Sequence, residues 1–212
     1  MYDPRMSGFG YEYRDADSSP SHRYLLPVIL DFLKDLPPGA TVLDVGCGNG
    51  TLTAKLAKRG WHVYGTDFSP TGIEYAQKTF PEITFFLADA QKSGSLQDYG
   101  PFDAVLSAEV IEHVYDPRGL ARTLFDQVKP GGQAILSTPY HGYLKNVVLA
   151  LTGKLDQHFT VLWDHGHIKF FSRKTLTKVL EEAGFRDVEF QGAGRLPYLW
   201  MSMVLRCRRP AD

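Results

Sequence analysis

The sequence contains little cysteine, almost no net charge and no long apolar run. Its two cysteines, Cys47 and Cys207, are too few for a disulfide framework or for a zinc site made of four thiolates. Lysine and arginine together number 23, against 24 aspartate and glutamate residues. This balance argues against binding to nucleic acid through bulk positive charge, so we expect no nucleic-acid partner.

Apolar residues do not run long enough to suggest a membrane span. The stretch Val147 to Leu151 is far shorter than the roughly 20 apolar residues that cross a bilayer. The N-terminal residues are polar and lack the apolar core of a secretory signal peptide. These absences predict a soluble protein of the cytoplasm.

Short apolar segments instead alternate with segments of helical periodicity, which is typical of an α/β protein. Strands are predicted at residues 40–45, 61–66, 83–87, 102–107, 133–138, 187–191 and 201–207. The connection at 192–200 is too short for a parallel crossover, so the last two strands must be antiparallel. We therefore predict one domain over residues 1–212 with a three-layer α/β/α, Rossmann-like fold. Its sheet is seven-stranded and mostly parallel, with one antiparallel strand.

The first strand leads into a glycine-rich loop, and aspartates stand at the ends of the first three strands. Glycines at Gly46, Gly48 and Gly50 allow a ligand to approach the backbone, but their spacing is not that of a dinucleotide or P-loop motif. Asp44 would repel a pyrophosphate and suits a ligand that carries an ammonium group. Asp67 lies where an acidic residue commonly binds a ribose diol.

Asp89, at the end of the third strand, could accept a hydrogen bond from an exocyclic amine such as that of adenine. Each of these aspartates alone is more often a turn former or a helix cap. Together, after a glycine-rich loop, they predict a nucleoside site.

A second polar block follows the fourth strand. Glu109, Glu112 and His113 would share one face if this segment is helical. Two carboxylates and an imidazole could hold a divalent cation such as Mg²⁺. The alternative is that His113 packs towards the ligand and that both glutamates are solvated.

In combination, the motifs DVGCGNG, GTDFS, ADA, FDAVLSAEVIEHV and VKPGGQAILSTP resemble those of the class I S-adenosylmethionine-dependent methyltransferases, over positions 20 to 190. The resemblance implies the class I methyltransferase fold and S-adenosyl-L-methionine as the cofactor. It also implies a set of cofactor-binding residues: Arg23, Asp44, Gly46, Cys47, Gly48, Asn49, Gly50, Asp67, Phe68, Ser69, Asp89, Ala90, Ala108, Glu109 and Val110.

The same resemblance distributes these residues over the cofactor. Asp44 and the glycine loop would hold its methionine part, with Arg23 near the carboxylate. Asp67 would bind the ribose hydroxyls and Phe68 would lie against the adenine. Asp89 and neighbouring Ala90 would meet the adenine edge.

Within the superfamily, the blocks AEVIEHV and GHIKFFS resemble those of the ubiquinone-biosynthesis O-methyltransferases. Members of that family methylate catechol-like quinone precursors and can depend on a divalent metal. The resemblance therefore implies a small aromatic or quinone-like acceptor that is methylated on a hydroxyl. His167 matches a histidine of their long loop, so His167 and His113 are our candidates for catalytic base or metal ligand. The chain departs from that family at its N-terminus and around residues 152–165.

Residues 139–171 form an unusually long connection, and long ordered connections are commonly functional. We expect this connection to cover the acceptor site as a lid. Together with the leader and helix of residues 1–36, it would lie above the strand ends. Its segment 143–151 is predicted to be a short amphipathic helix that either contacts a lipid or apolar substrate or packs on the sheet edge. The candidate substrate-binding residues are Tyr11, Tyr140, His141 and Trp163.

Other functions share much of this pattern. An N-methyltransferase of a small amine, or a non-catalytic protein that binds S-adenosylmethionine, would carry the same cofactor motifs. The loop spacing argues against a nicotinamide-dependent oxidoreductase. The identity of the acceptor and the oligomeric state do not follow from the sequence.

Overall fold

The protein is seen in a computed structural model that describes residue 13 and residues 19–92, 94–159, 162 and 166–212. Its strands are β1 (Thr41–Val45), β2 (His62–Asp67), β3 (Thr84–Leu87), β4 (Phe102–Ala108), β5 (Val128–Pro139), β6 (Arg186–Ala193) and β7 (Ser202–Arg208). Its helices are α1 (His22–Phe32), α2 (Thr51–Ala57), α3 (Pro70–Thr79), α4 (Pro117–Gln127), α5 (Tyr143–Leu151), α6 (Leu155–Phe159) and α7 (Arg173–Glu182). A short 3-10 helix covers Ile111–His113.

The strands form one seven-stranded sheet in the order β3-β2-β1-β4-β5-β7-β6. Strands β1 to β5 pair in parallel, and β7 is antiparallel to both β5 and β6. The predicted seven-stranded sheet with one antiparallel strand is thus confirmed. The strand order reverses at β1, which places a ligand crevice outside the carboxyl ends of β1 and β4.

Two helix starts follow directly from the sequence. The side chains of Ser69 and Asp116 accept hydrogen bonds from the backbone N–H groups of Gly72 and Gly119, at 3.2 and 2.9 Å. Each is followed by a proline at the first helical position, where no N–H is needed. These caps orient α3 and α4 as they leave the carboxyl edge of the sheet.

The sheet is covered on both faces, because successive strand residues point to opposite sides. Val42 of β1 belongs to the apolar cluster that includes Leu25 and Ile29 of α1. The next residue, Leu43, belongs to the cluster that includes Leu120 of α4 and Leu176 of α7. Each buried leucine contributes about 1.5–3 kcal/mol, so the two clusters hold the strand ends in fixed relative positions.

The predicted connection at 139–171 contains two helices, α5 and α6. Strand β5 begins five residues before the predicted strand at 133–138, and its pairing with β4 shifts register between Phe102 and Ala104. In the described part of the chain, no helix is long and apolar enough to cross a bilayer.

Candidate functional site

The glycine positions of the loop between β1 and α2 leave no room for a Cβ atom. Gly46 and Gly48 have φ values of +79° and +55°, which disfavour residues with a Cβ. A Cβ on Gly46 would overlap the side chain of Val110, and a Cβ on Gly48 would overlap the ring of Tyr13. The Gly46 N–H donates to the carbonyl of Thr66 at 2.8 Å. The loop is therefore held close against the ends of β2 and β4.

Asp67 connects this loop to the start of α3. Its buried carboxylate accepts hydrogen bonds from the backbone N–H groups of Gly48 and Ser69, both at 2.8 Å. Burial raises the pKa of Asp67, although these backbone donors oppose the shift. Each carboxylate oxygen keeps a further acceptor position, so Asp67 can also bind a diol.

Asp44 places a second buried carboxylate beside the first. Its side chain is 1% exposed and accepts a hydrogen bond from the Thr53 hydroxyl at 2.7 Å. Burial raises the pKa of Asp44 to about 7; the Thr53 hydrogen bond opposes this shift and the Asp67 carboxylate adds to it. A carboxylate in this environment gains from a nearby cation, which suits an ammonium group.

The residues that were predicted to contact the adenine follow the ends of β2 and β3. Phe68 is 50% exposed directly after Asp67, so its ring is available to a flat ligand. Asp89 accepts a hydrogen bond from the Gln91 N–H at 3.0 Å, and Ala90 packs against the apolar core.

The remaining predicted cofactor residues have mixed surroundings. Arg23 is exposed on α1, whereas Cys47 and Asn49 are buried in the loop. The Asn49 side chain accepts a hydrogen bond from the Thr51 hydroxyl at 3.1 Å. His22, which the sequence analysis missed, has its Nδ1 atom 3.4 Å from the same hydroxyl.

Glu109 joins the ends of three strands. Its carboxylate accepts hydrogen bonds from the hydroxyls of Ser137 and Ser202, at 2.8 and 3.1 Å. The Tyr24 hydroxyl lies 3.3 Å from that of Ser202. Burial raises the pKa of Glu109 to about 7, against the effect of these hydroxyl groups. Neither serine nor Tyr24 was predicted, because the three come together only in the fold.

The expected helical arrangement of Glu109, Glu112 and His113 is wrong. Glu109 has a φ of +55° and precedes the single 3-10 turn at Ile111–His113, so the three do not share a helix face. The structure brings Glu112 and His113 together with His167, with their candidate ligand atoms all within 4.8 Å of one another. Glu109, bound to two serines, is not part of this cluster.

Glu112 gives the cluster its charge. It is 0% exposed, and among the described residues neither of its carboxylate oxygens has a hydrogen-bond partner. His167 Nε2 lies 4.0 Å from Glu112 Oε1, and the rings of His113 and His167 are 4.9 Å apart. Burial first, and then the Glu109 carboxylate, raises the pKa of Glu112, and the neighbouring Thr138 hydroxyl opposes this shift without forming a hydrogen bond of good geometry. An unsatisfied buried carboxylate beside two imidazoles fits a divalent cation.

Of the four predicted substrate-binding residues, two are buried near the end of β5 and two lie outside the described residues. Tyr140 is buried at the end of β5, with its ring centroid 5.1 Å from that of Trp200. His141 is also buried, and its ring centroid lies 5.0 Å from that of His158. Tyr11 and Trp163 lie outside the described residues.

Comparisons with known proteins agree with this architecture. A family model described as a methyltransferase domain matches residues 17–189. A ubiquinone biosynthesis O-methyltransferase of Aeromonas salmonicida is 28% identical over 190 residues, covering 86% of this chain and 79% of the relative. The enzyme of that name from Chromobacterium violaceum is 30% identical over 190 residues, covering 87% and 81%.

A solved structure shares the fold. The magnesium protoporphyrin IX methyltransferase from Synechocystis PCC 6803, with bound SAH, superposes with a TM-score of 0.67 at 23% identity. The match covers 87% of this chain and 82% of that one. Since the methyltransferase-domain model spans most of the chain and the sheet has the predicted topology, the protein belongs to the class I S-adenosylmethionine-dependent methyltransferases.

Proposed function

We propose that this methyltransferase transfers a methyl group from S-adenosyl-L-methionine to a hydroxyl of a small aromatic or quinone-like molecule. The observation that carries the proposal is the histidine pair at the acceptor end of the crevice, His113 and His167, beside the buried Glu112 carboxylate. A histidine in this position can accept the proton of an acceptor hydroxyl. The relatives named as ubiquinone biosynthesis O-methyltransferases support the same chemistry.

The cofactor would lie along the ends of β1, β2 and β3. Asp44 faces its ammonium group and Arg23 its carboxylate, while the glycine loop admits the methionine backbone. Asp67 accepts from the ribose hydroxyls and Phe68 stacks on the adenine. Asp89 and Ala90 border the adenine edge, and residues 108–110 close the side towards the acceptor. The aspartates at the ends of the first three strands, and the glycine loop after the first of them, support this order.

His167 would act as the base. When bound, S-adenosylmethionine supplies a methyl group already activated on a sulfonium sulfur, so the protein must align the acceptor and exclude water. A phenolic hydroxyl has a pKa near 10 and must lose its proton. Burial and then His113 and His158 lower the pKa of His167 to about 4, so its imidazole is neutral at pH 7. A pKa this low makes the ring a weak base unless a neighbouring carboxylate stabilises its protonated form. Glu112 then stabilises the imidazolium.

We also propose that Glu112, His113 and His167 can hold a divalent cation, whose chemistry would be to lower the pKa of a nearby hydroxyl. One carboxylate and two imidazoles suit Mn²⁺ or Zn²⁺ better than Mg²⁺. Calorimetry with Mn²⁺ should show binding to the wild-type protein and none to Glu112→Gln, and exhaustive chelation should lower turnover. Full activity after chelation, with no Mn²⁺ binding, would exclude the metal site and leave His167 with the role of base only.

Helix α5 supports a contact with lipid. Its apolar side chains face outwards, with Tyr143 86% and Leu151 82% exposed, and Leu144 and Val148 lie partly exposed between them. We propose that this face rests on a membrane surface in the cytoplasm or meets an apolar acceptor. Flotation with phosphatidylcholine vesicles should recover the wild-type protein and lose Leu144→Glu/Leu151→Glu. Equal recovery of both proteins would remove the lipid assignment.

The reaction itself is tested with a deuterated methyl donor. The acceptors would be catechol, 2-methoxyphenol and 2-aminophenol, with products identified by mass spectrometry and NMR. We expect the label on a catechol oxygen. Label on the nitrogen of 2-aminophenol alone would favour an N-methyltransferase. Cofactor binding without any product across a wide acceptor screen would favour a non-catalytic protein.

A further inference from the structure

A second polar cluster lies between α5, α6 and the hairpin that joins β6 to β7. We define the Lys145 cluster as Lys145, His141, His158 and Arg195. Lys145 projects inwards from α5, and its Nζ donates to the Met201 carbonyl at 3.4 Å, at the start of β7. His141 lies between β5 and α5, His158 lies in α6 and Arg195 lies in the hairpin. The cluster therefore borders the end of the crevice opposite the glycine loop.

Lys145 is a buried cation that forms no ion pair with a described carboxylate. It is only 5% exposed, and no carboxylate among the described residues comes within 4.0 Å of its ammonium group. One long hydrogen bond to a carbonyl leaves most of its donor capacity unused. Burial first, and then the charge of Arg195, lowers the pKa of Lys145 to about 8, and Glu109 opposes both effects. A buried ammonium in this condition gains strongly from an incoming anion.

The two histidines provide unused polar atoms on the same cluster. His141 Nδ1 and His158 Nε2 are buried and have no hydrogen-bond partner in the described part of the chain. Their ring centroids are 5.0 Å apart. Burial first, and then the charges of Lys145 and Arg195, lowers the pKa of His158 to about 4. Neutral imidazole N–H groups beside a lysine can donate to an oxygen anion.

The Lys145 cluster carries a different charge from the cluster of Glu112, His113 and His167. Glu112 places a carboxylate between two imidazoles, which favours a cation. Lys145 and Arg195 place positive charge beside His141 and His158, which disfavours a metal ion and favours an anion. The two pairs of histidines are thus adapted to ligands of opposite sign.

We infer that the Lys145 cluster binds a carboxylate, or an equivalent oxyanion, carried by the methyl acceptor next to its ring. This inference rests on the proposed function, because it identifies the acceptor as an anionic hydroxyarene. Lys145 would contribute the main charge, and Arg195 would reach the same group from the exposed hairpin. The histidines would donate to its oxygens.

The test compares 3,4-dihydroxybenzoate with its neutral methyl ester. Their affinities are measured by calorimetry in the presence of S-adenosylhomocysteine, so the readout does not need turnover. We expect the wild-type protein to bind the carboxylate at least ten-fold more tightly than the ester. Lys145→Met should remove this preference and Lys145→Arg should restore part of it. Lys154→Met, on an exposed lysine just beyond α5, should keep it.

The controls separate this inference from other outcomes. Unchanged affinity of Lys145→Met for S-adenosylhomocysteine shows that the variant is folded, and Arg195→Gln gives a second variant at an exposed position. Equal affinity for acid and ester in the wild type, preference for the ester, or no binding of either would overturn the inference. So would an undiminished preference in both Lys145→Met and Arg195→Gln. Failure of the proposed function would instead appear as no methylation of any hydroxyl acceptor, whatever the binding preference.

Discussion

The two ends of the crevice differ in how fully their buried carboxylates are paired. At the cofactor end, Asp44 and Asp67 accept hydrogen bonds from Thr53 and from backbone N–H groups of the chain itself. At the acceptor end, the Glu112 carboxylate and the His141 Nδ1 atom have no hydrogen-bond partner among the described residues. Since buried carboxylates are normally paired, this difference supports the proposal that the chain itself organises the cofactor end and that a ligand completes the acceptor end.

The largest effect should come from filling the glycine loop. Gly46→Ala would force a Cβ against Val110 at a φ of +79°, so we expect cofactor affinity to fall more than 100-fold and unfolding free energy to drop by about 2–4 kcal/mol. Gly39 has a φ of +78° with open space around it. Gly39→Ala should cost only about 1 kcal/mol and leave cofactor binding intact.

Calorimetry and urea unfolding measure both effects. If the two alanine variants behaved alike, backbone conformation alone would explain the loss, and close packing of the loop would have no special role.

Removing the candidate base should affect only the acceptor end. His167→Ala should lower kcat about 100-fold, because proton removal by a positioned group contributes about 10²–10⁴. Its affinity for S-adenosylmethionine should stay within two-fold. His62→Ala, on an exposed histidine at the start of β2, is the matched control. An unchanged kcat in His167→Ala would remove this residue from the mechanism.

A smaller effect is expected in the pH dependence. Burial raises the pKa of Asp44 to about 7, so the folded protein holds a proton that the unfolded chain has released between about pH 4 and pH 7. Stability of the cofactor-free protein should therefore fall as pH rises through that window. An ammonium group beside Asp44 reverses the preference, so cofactor binding at pH 6.5 should release protons.

Calorimetry in buffers of different ionisation enthalpy counts those protons. Asp44→Asn should release fewer than the wild type. The same number from both proteins would contradict the assignment of Asp44 to the ammonium group.

The sequence was sufficient for the sheet and for placing Asp44, Asp67 and the glycine loop along one edge of it, because both depend on short contiguous patterns. A strand that ends in aspartate before a glycine loop or a helix cap places that carboxylate at the carboxyl edge of a parallel sheet, as seen for Asp44 and Asp67. Ser69 and Pro70 likewise specify the start of α3 within two positions.

The acceptor end could not be predicted in this way. Glu109 contacts Ser202, which lies 93 positions away, and Lys145 contacts Met201 across 56 positions. No pattern of neighbouring residues predicts contacts between positions so far apart in the sequence. The left-handed conformation of Glu109 also breaks the helical spacing that the sequence suggested, so its carboxylate turns to the serines while His167 joins Glu112 and His113.

The division between the two ends is tested most directly by the dissociation constant of S-adenosylmethionine, measured by calorimetry on Asp67→Ala and Lys145→Met. Loss of charge-assisted hydrogen bonds should weaken binding to Asp67→Ala by 10- to 100-fold, about 1.5–3 kcal/mol. Binding to Lys145→Met, and to the exposed control Asp98→Ala, should remain within two-fold of the wild type. Wild-type affinity in Asp67→Ala, or an equal loss in Lys145→Met, would contradict the account.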